Sequence, residues 1–270
     1  MTERMVLSLM DEQNGVGYIR LNRPGKKNAL SVALLQELVH EIRTLAANEA
    51  LRCLVLEAAG DTFCAGRDLH DMRAYERKRV RFSDDSGTAM SVVKALRAAP
   101  QITIASVQGY CLGGGFVLMA ACDLAVVAED AKVGMPEILR GSYGRSATPT
   151  LFHSRIPMKH AFLIQLTGEN ISGAEAARMG LASISTPAAE LRNTTRELAN
   201  KIASRNAVAL EHAKIAAYTE VDLPFDAATK VDETISHRMR FYTDPLSDVE
   251  GYLKSQKGGT NAAYVKPDEN

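Results

Sequence analysis

Between residues 102 and 127, a strand-like run, a cluster of glycines, a charge-free stretch and a second strand-like run follow one another. Few folds accept that order. Ile102-Thr103-Ile104-Ala105 has the β-branched character of a strand, and Gly109 and Gly113-Gly114-Gly115 come next. Phe116 to Cys122 then runs without a charge, and Asp123-Leu124-Ala125-Val126-Val127 is strand-like again. A helix that is apolar on every side has to be buried between other layers. Apolar strands covered by helices define an α/β protein.

The flanking sequence repeats the pattern. Gly17 to Leu21 reads as a strand ended by the turn cluster Asn22-Arg23-Pro24-Gly25. Ser31 is placed to cap a helix whose Leu34, Leu35, Leu38, Ile42 and Leu45 recur at helical spacing. Arg52 to Leu56 reads as a buried strand broken at Gly60-Asp61, and Met90 to Leu96 as a helix. From about Ala147 helical periodicity dominates. Ser172 is expected to cap Gly173 to Arg178, with Gly180 as the stop. Further helices are expected over Ala188–Ser204, Ala207–Thr219, Ala227–Arg240 and Ser247–Lys254, before a polar tail that frays from Gly258. The densely charged stretch Asp71 to Asp85 reads as a solvated helix or loop.

Composition excludes several classes. Lys plus Arg and Asp plus Glu both number 32, so no net field draws the chain to nucleic acid or to a membrane surface. No apolar run approaches the ~18 residues of a membrane span, and Met1 to Met10 does not read as a signal peptide. Cys53, Cys64, Cys111 and Cys122 form no C-x-x-C pair and read as reduced, buried thiols of a cytoplasmic protein. The histidines are scattered, His153 and His160 stand alone, and no metal site is expected. A P-loop, a G-x-G-x-x-G fingerprint and a G-x-S-x-G elbow are all missing.

Three local features carry chemistry. The glycine run stands where a strand hands over to a helix, and a helix start offers unpaired N–H groups at a positive dipole end. Glycine lets a ligand oxygen approach that backbone closely. The same three residues also suit a tight turn against a neighbouring strand. The second feature is Phe63-Cys64-Ala65-Gly66-Arg67-Asp68-Leu69, where Asp68 can cap a following helix and the Arg67 N–H can face the glycine run. Two such donors on one oxygen make an oxyanion hole. The third is Glu137 in Met135-Pro136-Glu137-Ile138, an acid among apolar neighbours whose pKa burial would raise toward proton-transfer use. A surface or salt-bridged glutamate is the plainer alternative.

Taken in order, these strings resemble the crotonase superfamily of enoyl-CoA hydratases and isomerases. The resemblance rests on Leu21-Asn22-Arg23-Pro24, Asn28-Ala29-Leu30, the Phe63 to Leu69 string, Gly109 to Gly115, Ala121-Cys122-Asp123 and Gly134 to Ile138. Thr167-Gly168, Ile171-Ser172-Gly173, Ala176 and Gly180-Leu181 continue it, so that it reaches to about Lys257. It implies a spiral of ββα units over residues 1–200, a C-terminal helical trimerisation region over 201–257 and a flexible tail over 258–270. It implies a homotrimer or homohexamer, an acyl-CoA substrate that brings its own coenzyme A, and no permanently bound cofactor. The backbone N–H groups of Arg67 and Gly114 would be the oxyanion donors and Glu137 the acid–base. Lys26, Lys27, Ala29, Ala65, Arg67, Asp68 and Leu69 would line the coenzyme path. Phe241 and Lys257 would reach the coenzyme from the same or a neighbouring subunit. Typical hydratases carry a second glutamate two residues after the glycine run, where this chain has Val117. The stretch from Arg140 to Thr148 also departs from the usual glycine-rich pattern, and Ser142, Tyr143 and Arg145 are candidates to line an acyl pocket. One carboxylate suffices for a double-bond shift, and for hydration if another group orients the water. The same motif string also resembles hydroxycinnamoyl-CoA hydratase-lyases, and thioester hydrolysis, decarboxylation and a non-catalytic coenzyme-binding role stay open.

Overall fold

In a computed structural model, which describes residues 4–71, 88–145, 147–243, 249, 250 and 253, the strand-like runs build two sheets. The strands are β1 (Val6–Asp11), β2 (Val16–Leu21), β3 (Cys53–Ala58), β4 (Ile102–Val107), β5 (Tyr110–Leu112), β6 (Leu124–Ala128), β7 (Lys132–Gly134), β8 (Ile171–Ser172) and β9 (Ile184–Thr186). The larger sheet has the order β1-β2-β3-β4-β6-β9, and the smaller has the order β5-β7-β8. Only the β1–β2 pair in the larger sheet is antiparallel. Asp11 makes that hairpin possible, because its carbonyl and its carboxylate both accept from the Asn14 N–H, each at 3.2 Å.

The helices are α1 (Val32–Ala46), α2 (Ala89–Ala98), α3 (Gly114–Ala121), α4 (Ala147–Phe152), α5 (Met158–Thr167), α6 (Gly173–Arg178), α7 (Leu191–Ala203), α8 (Ala207–Glu220) and α9 (Phe225–Met239). Twice the chain passes from the large sheet to the small one and then into helix, as β4–β5–α3 and as β6–β7 followed by α4 and α5. The expected caps are present. The Ser31 Oγ accepts from the Leu34 N–H at 3.2 Å, and the Ser172 Oγ accepts from the Glu175 N–H at 3.1 Å.

The sheet is apolar on both faces because its central strands carry apolar residues at consecutive positions, whose side chains point to opposite sides. Leu54 and Leu56 of β3 enter the larger core together with Leu34, Leu38 and Ile42 of α1 and Phe116, Val117 and Leu118 of α3. Cys53 and Val55 point the other way, into a smaller core with Leu191, Ala199 and Ala203 of α7. The charge-free α3 is buried at nearly every position, as its composition predicts.

The chain divides into two compact units, Met1–Leu210 and Glu211–Asn270. The first contains both sheets. In the second, α9 buries no residue, and Phe241 beyond it is 87% exposed. Of the sequence expectations, the Asp71–Asp85 stretch and the Ser247–Lys254 helix lie largely outside the described residues, and Lys257 and the tail from Gly258 lie wholly outside them. No helix among the described residues is long and apolar enough to cross a membrane.

Candidate active site

Two bends meet where β3 and β5 run out. Cys64 pairs with Cys111 of β5: its N–H donates to the Tyr110 carbonyl, and its own carbonyl accepts from Leu112, each at 2.9 Å. Leu30 then pairs with Arg67 as a parallel bridge, the Leu30 N–H donating to the Gly66 carbonyl at 2.8 Å and the Asp68 N–H donating to the Leu30 carbonyl at 3.0 Å. Successive peptide groups in an extended segment point to opposite sides. The Arg67 N–H therefore faces away from Leu30, and on that side lies the start of α3.

Gly66 and Gly114 make the close approach possible. Gly66 has φ +96°, and a Cβ there would stand 2.9 Å from the Leu112 carbonyl oxygen and 3.5 Å from the Gly114 nitrogen. A Cβ at Gly114 would lie 3.6 Å from the Arg67 nitrogen and 2.8 Å from Leu30 Cδ1. Gly113 caps α3 and its carbonyl takes the Val117 N–H at 3.0 Å, which leaves Gly114 as the first helical residue. Neither the Arg67 nor the Gly114 N–H has an acceptor among the described residues. The structure thus brings together two uncommitted donors, one at a helix start.

Glu137 completes the group. It sits on the 3-10 turn Pro136–Arg140, which Gly141 ends in the left-handed region. A Cβ added to Gly113 would collide with its Oε1, and its Oε2 is buried with no partner among the described residues. Burial raises the carboxyl above its ordinary value of 4.5, and its backbone N–H and Arg140 offset part of that rise. A glutamate tuned this way holds a proton more readily than a surface one. Two consequences follow for pH. The rate at low substrate should fall on the acid side with an apparent pKa above the ordinary glutamate value. The folded state also binds this proton more tightly than the unfolded chain, so its stabilising contribution is complete at acid pH and is lost as pH rises through the folded pKa. Glu137→Gln should therefore raise Tm at neutral pH, and the gain should vanish under acid conditions. Thermal melts across pH check this, and a Tm that falls at neutral pH would exclude it.

The loop after Glu137 closes over it. Gly144 packs so that a Cβ there would stand 3.1 Å from Met135 Cε and 3.7 Å from Glu137 Cβ. The neighbouring Tyr143 carbonyl accepts from Gln165 Nε2 at 3.0 Å and from Thr148 Oγ1 at 2.5 Å. Ser142, Tyr143 and Arg145 are exposed, and the Ser142 Oγ is used locally by the Gly144 N–H at 3.3 Å. Sequence reading passed over Gln165, whose signal was a polar residue inside the apolar run of α5. Val117, at the position of the second carboxylate of typical hydratases, is 1% exposed and belongs to the large core.

The other expected coenzyme residues divide by position. Lys26 and Lys27 are exposed on the bend after β2, and the Lys27 carbonyl ties that bend to the site by accepting from the Ala65 N–H at 3.0 Å. The Lys27 ammonium stands 5.4 Å from the centre of the Tyr110 ring. Ala29 and Ala65 are half-buried, and Leu69 is exposed. The Arg67 side chain buries its Nε without a partner among the described residues. Asp68 is committed to structure. Its Oδ1 accepts the His70 N–H at 3.1 Å and the Asp71 N–H at 3.4 Å, and Arg23 stands 3.4 Å from its Oδ2. Burial alone would raise the Asp68 carboxyl, but those two N–H groups and Arg23 outweigh it and hold it below its ordinary value. Phe241 belongs to the second unit and Lys257 is outside the described residues.

The bend itself hangs on Asn28, which is fully buried. Its Oδ1 accepts from the Arg23 N–H at 2.8 Å, and its Nδ2 donates to the Ala59 and Thr62 carbonyls at 2.9 and 2.7 Å. Asn28→Ala would orphan one buried donor and two acceptors and should destabilise the fold by about 2–4 kcal/mol in urea unfolding. All four cysteines are buried and none forms a disulfide, and burial pushes the Cys64 thiol up to about 12. Among the described residues no cluster of three or more His, Cys, Asp or Glu could hold a metal ion.

Comparison with known proteins identifies the family and the fold. The family model described as enoyl-CoA hydratase/isomerase matches residues 11–252. A hydroxycinnamoyl-CoA hydratase-lyase of Pseudomonas fluorescens is 35% identical over 213 residues, spanning 75% of this chain and 74% of that one. A 2,3-dehydroadipyl-CoA hydratase of Escherichia coli is 29% identical over 249 residues, spanning 92% and 96%. The crystal structure of an enoyl-CoA hydratase of Mycobacterium smegmatis superposes with a TM-score of 0.84 at 31% identity, covering 94% of this chain and 97% of that one. This chain belongs to the enoyl-CoA hydratase/isomerase family, with the crotonase fold, and is an enzyme of the hydratase/isomerase type.

Proposed function

We propose that this enzyme works on an α,β-unsaturated acyl-CoA thioester, holding an enolate oxygen on two backbone N–H groups and moving protons with one carboxylate. The thioester oxygen accepts from the N–H groups of Arg67 and Gly114, and both bonds strengthen as negative charge collects there. In hydration, Glu137 takes a proton from water as the oxygen of that water bonds to the β-carbon. The electron pair of the double bond moves toward the carbonyl. Glu137 then returns the proton to the α-carbon, and the enolate collapses to a 3-hydroxyacyl thioester. In a double-bond shift, the same group removes a proton from one carbon and returns it to another. The observation that carries this reading is the pair of amides that no described residue engages, beside a carboxylate whose Oε2 is buried without a partner among the described residues. Val117 supplies no second acid at the position where typical hydratases have one.

Val117 also favours a second reading, in which hydration is followed by retro-aldol cleavage. Glu137 takes the β-hydroxyl proton, the bond between the α- and β-carbons breaks to release an aldehyde and the thioester enolate, and Glu137 returns the proton to the α-carbon to give an acetyl thioester. A relative named as a hydratase-lyase supports it. Lys26 and Lys27, on the bend tied to Ala65, suit the phosphates of a coenzyme A carried by the substrate. Helix α9, none of whose residues is fully buried, suits assembly into a trimer or hexamer.

Exchange of the α-protons of a saturated acyl-CoA in deuterated water tests the core of the proposal, since it needs only the base and the hole. Time-dependent deuterium uptake is expected by mass spectrometry. No exchange above the background rate would sink it. Product analysis with aliphatic and aromatic enoyl-CoA substrates then separates hydration from cleavage.

A further inference from the structure

The large sheet has a second recess, on the face turned away from the catalytic bends. Strand alternation assigns its lining. Ile19 and Leu21 of β2 enter the large core under α1 and α3, so Tyr18 and Arg20 face the opposite side, as Val55 and Glu57 of β3 do. Helix α7 lies across β3, β4 and β6 on that side. Beside it, against the β1–β2 hairpin, is a cavity of about 380 Å³ walled by Leu7, Leu9 and Val55. That size lies in the range of small-molecule sites.

The charges in this recess are unbalanced. Arg20, Arg192 and Arg196 line it with a single carboxylate, Glu57. Glu57 is already engaged, since its Oε1 accepts from Arg20 Nε at 2.6 Å. The nearby Asp11 is turned into the hairpin, where its carboxylate accepts from the Asn14 N–H at 3.2 Å and from Asn14 Nδ2 at 2.9 Å. Arg192 and Arg196 have no ion pair among the described residues. They stand one turn apart on α7, a spacing at which like charges repel. Arg196 lies beside the Tyr18 hydroxyl. At the floor, the Ser106 and Thr195 hydroxyls bond to each other at 3.0 Å.

We propose that this recess binds a small organic anion, its carboxylate or phosphate held between Arg192 and Arg196 and its apolar part against Leu7 and Leu9. Two guanidinium forks on one helical face match a planar or tetrahedral anion from two directions, and the anion relieves their repulsion. The apolar wall selects an organic anion over the bare ion. The site is separate from the thioester site, because the sheet and the large core lie between them.

The test is calorimetric titration of the full-length protein at constant ionic strength, run in parallel on the wild type and on arginine variants that leave the thioester site unchanged. The probes are phenyl phosphate, benzoate and inorganic phosphate. Saturable binding is expected for phenyl phosphate, weaker for inorganic phosphate, and roughly tenfold or more weaker in Arg192→Ala/Arg196→Ala. Both arginines are exposed, so that variant should fold and keep wild-type turnover. Arg192→Lys/Arg196→Lys keeps the charge and loses the forks, and intermediate affinity is expected. Absence of saturable binding to the wild type, or equal affinity in the double alanine variant, overturns the site. Wild-type affinity in the lysine variant overturns the paired-fork geometry, and equal affinity for phosphate and phenyl phosphate overturns the organic part of the assignment.

Discussion

Glu137→Gln should lose on the order of 10²–10⁴-fold in turnover while binding acyl-CoA ligands about as well as the wild type. The amide is nearly isosteric, so the 3-10 turn and the loop above it should keep their shape. The proton acceptor is what disappears. Oε1 sits against Gly113, one residue from the Gly114 amide, and Oε2 is buried without a partner among the described residues. A carboxylate so placed is useful only if it exchanges a proton with something that enters the site. Steady-state kinetics against the wild type, with calorimetry on a non-reactive thioester, separates the two effects. Full turnover in the variant would remove Glu137 from the mechanism, and a matching loss of affinity would make it a binding residue.

Gly113→Ala is expected to damage activity and stability together. Gly113 has φ +52° and ψ −108°, outside the regions a side chain tolerates, and an added methyl would strike Glu137 Oε1. The strain alone costs about 1–3 kcal/mol. Relief requires the carboxylate to move or the first turn of α3 to shift, and the second movement also displaces the Gly114 donor. Losing one donor of this kind costs on the order of 10²–10³ in turnover. Gly25→Ala is the control for stability, because its methyl would meet nothing within 4 Å and φ there is ordinary. It should leave urea unfolding unchanged within ~0.5 kcal/mol. Wild-type turnover in Gly113→Ala would show that contact with Gly113 does not position the acid.

Much of the local structure was legible because its causes lie within a few residues. Ser31 and Ser172 cap helices by bonding an N–H three positions on. The leucines of α1 recur at helical spacing, and α3 is buried because it carries no charge. Apart from the six-residue edge strand β1, which buries only Val6 and so carries no apolar alternation, the strands that escaped notice are the short ones. β5, β7 and β9 have three residues each and β8 has two, too few for an alternation to register. Their partners lie far along the chain, as with Val133 and Ile171.

The site divides in the same way. The motif strings by themselves pointed to small-residue bends, a glycine-led helix, the Arg67 N–H and the acid Glu137. The family resemblance implied Gly114 as the second donor and one acid in place of two. Whether an amide is available is not a property of its own residue. The Arg67 N–H is uncommitted because Leu30 takes the Gly66 carbonyl and gives its own carbonyl to Asp68, pairing segments 36 to 38 residues apart in sequence. The burial that raises Glu137 comes from a loop folded back over it, and Asn28 holds the coenzyme bend through carbonyls 31 and 34 residues away. The recess behind the sheet unites β1 with α7, some 185 residues later. Short-range steric and hydrogen-bonding terms made most helices and the longer central strands legible from sequence alone, and the family resemblance supplied most of the candidate residues. Only the tertiary structure decided which donors stay unpaired, which acid is desolvated and which cations share a cavity, because each depends on atoms the chain brings in from elsewhere.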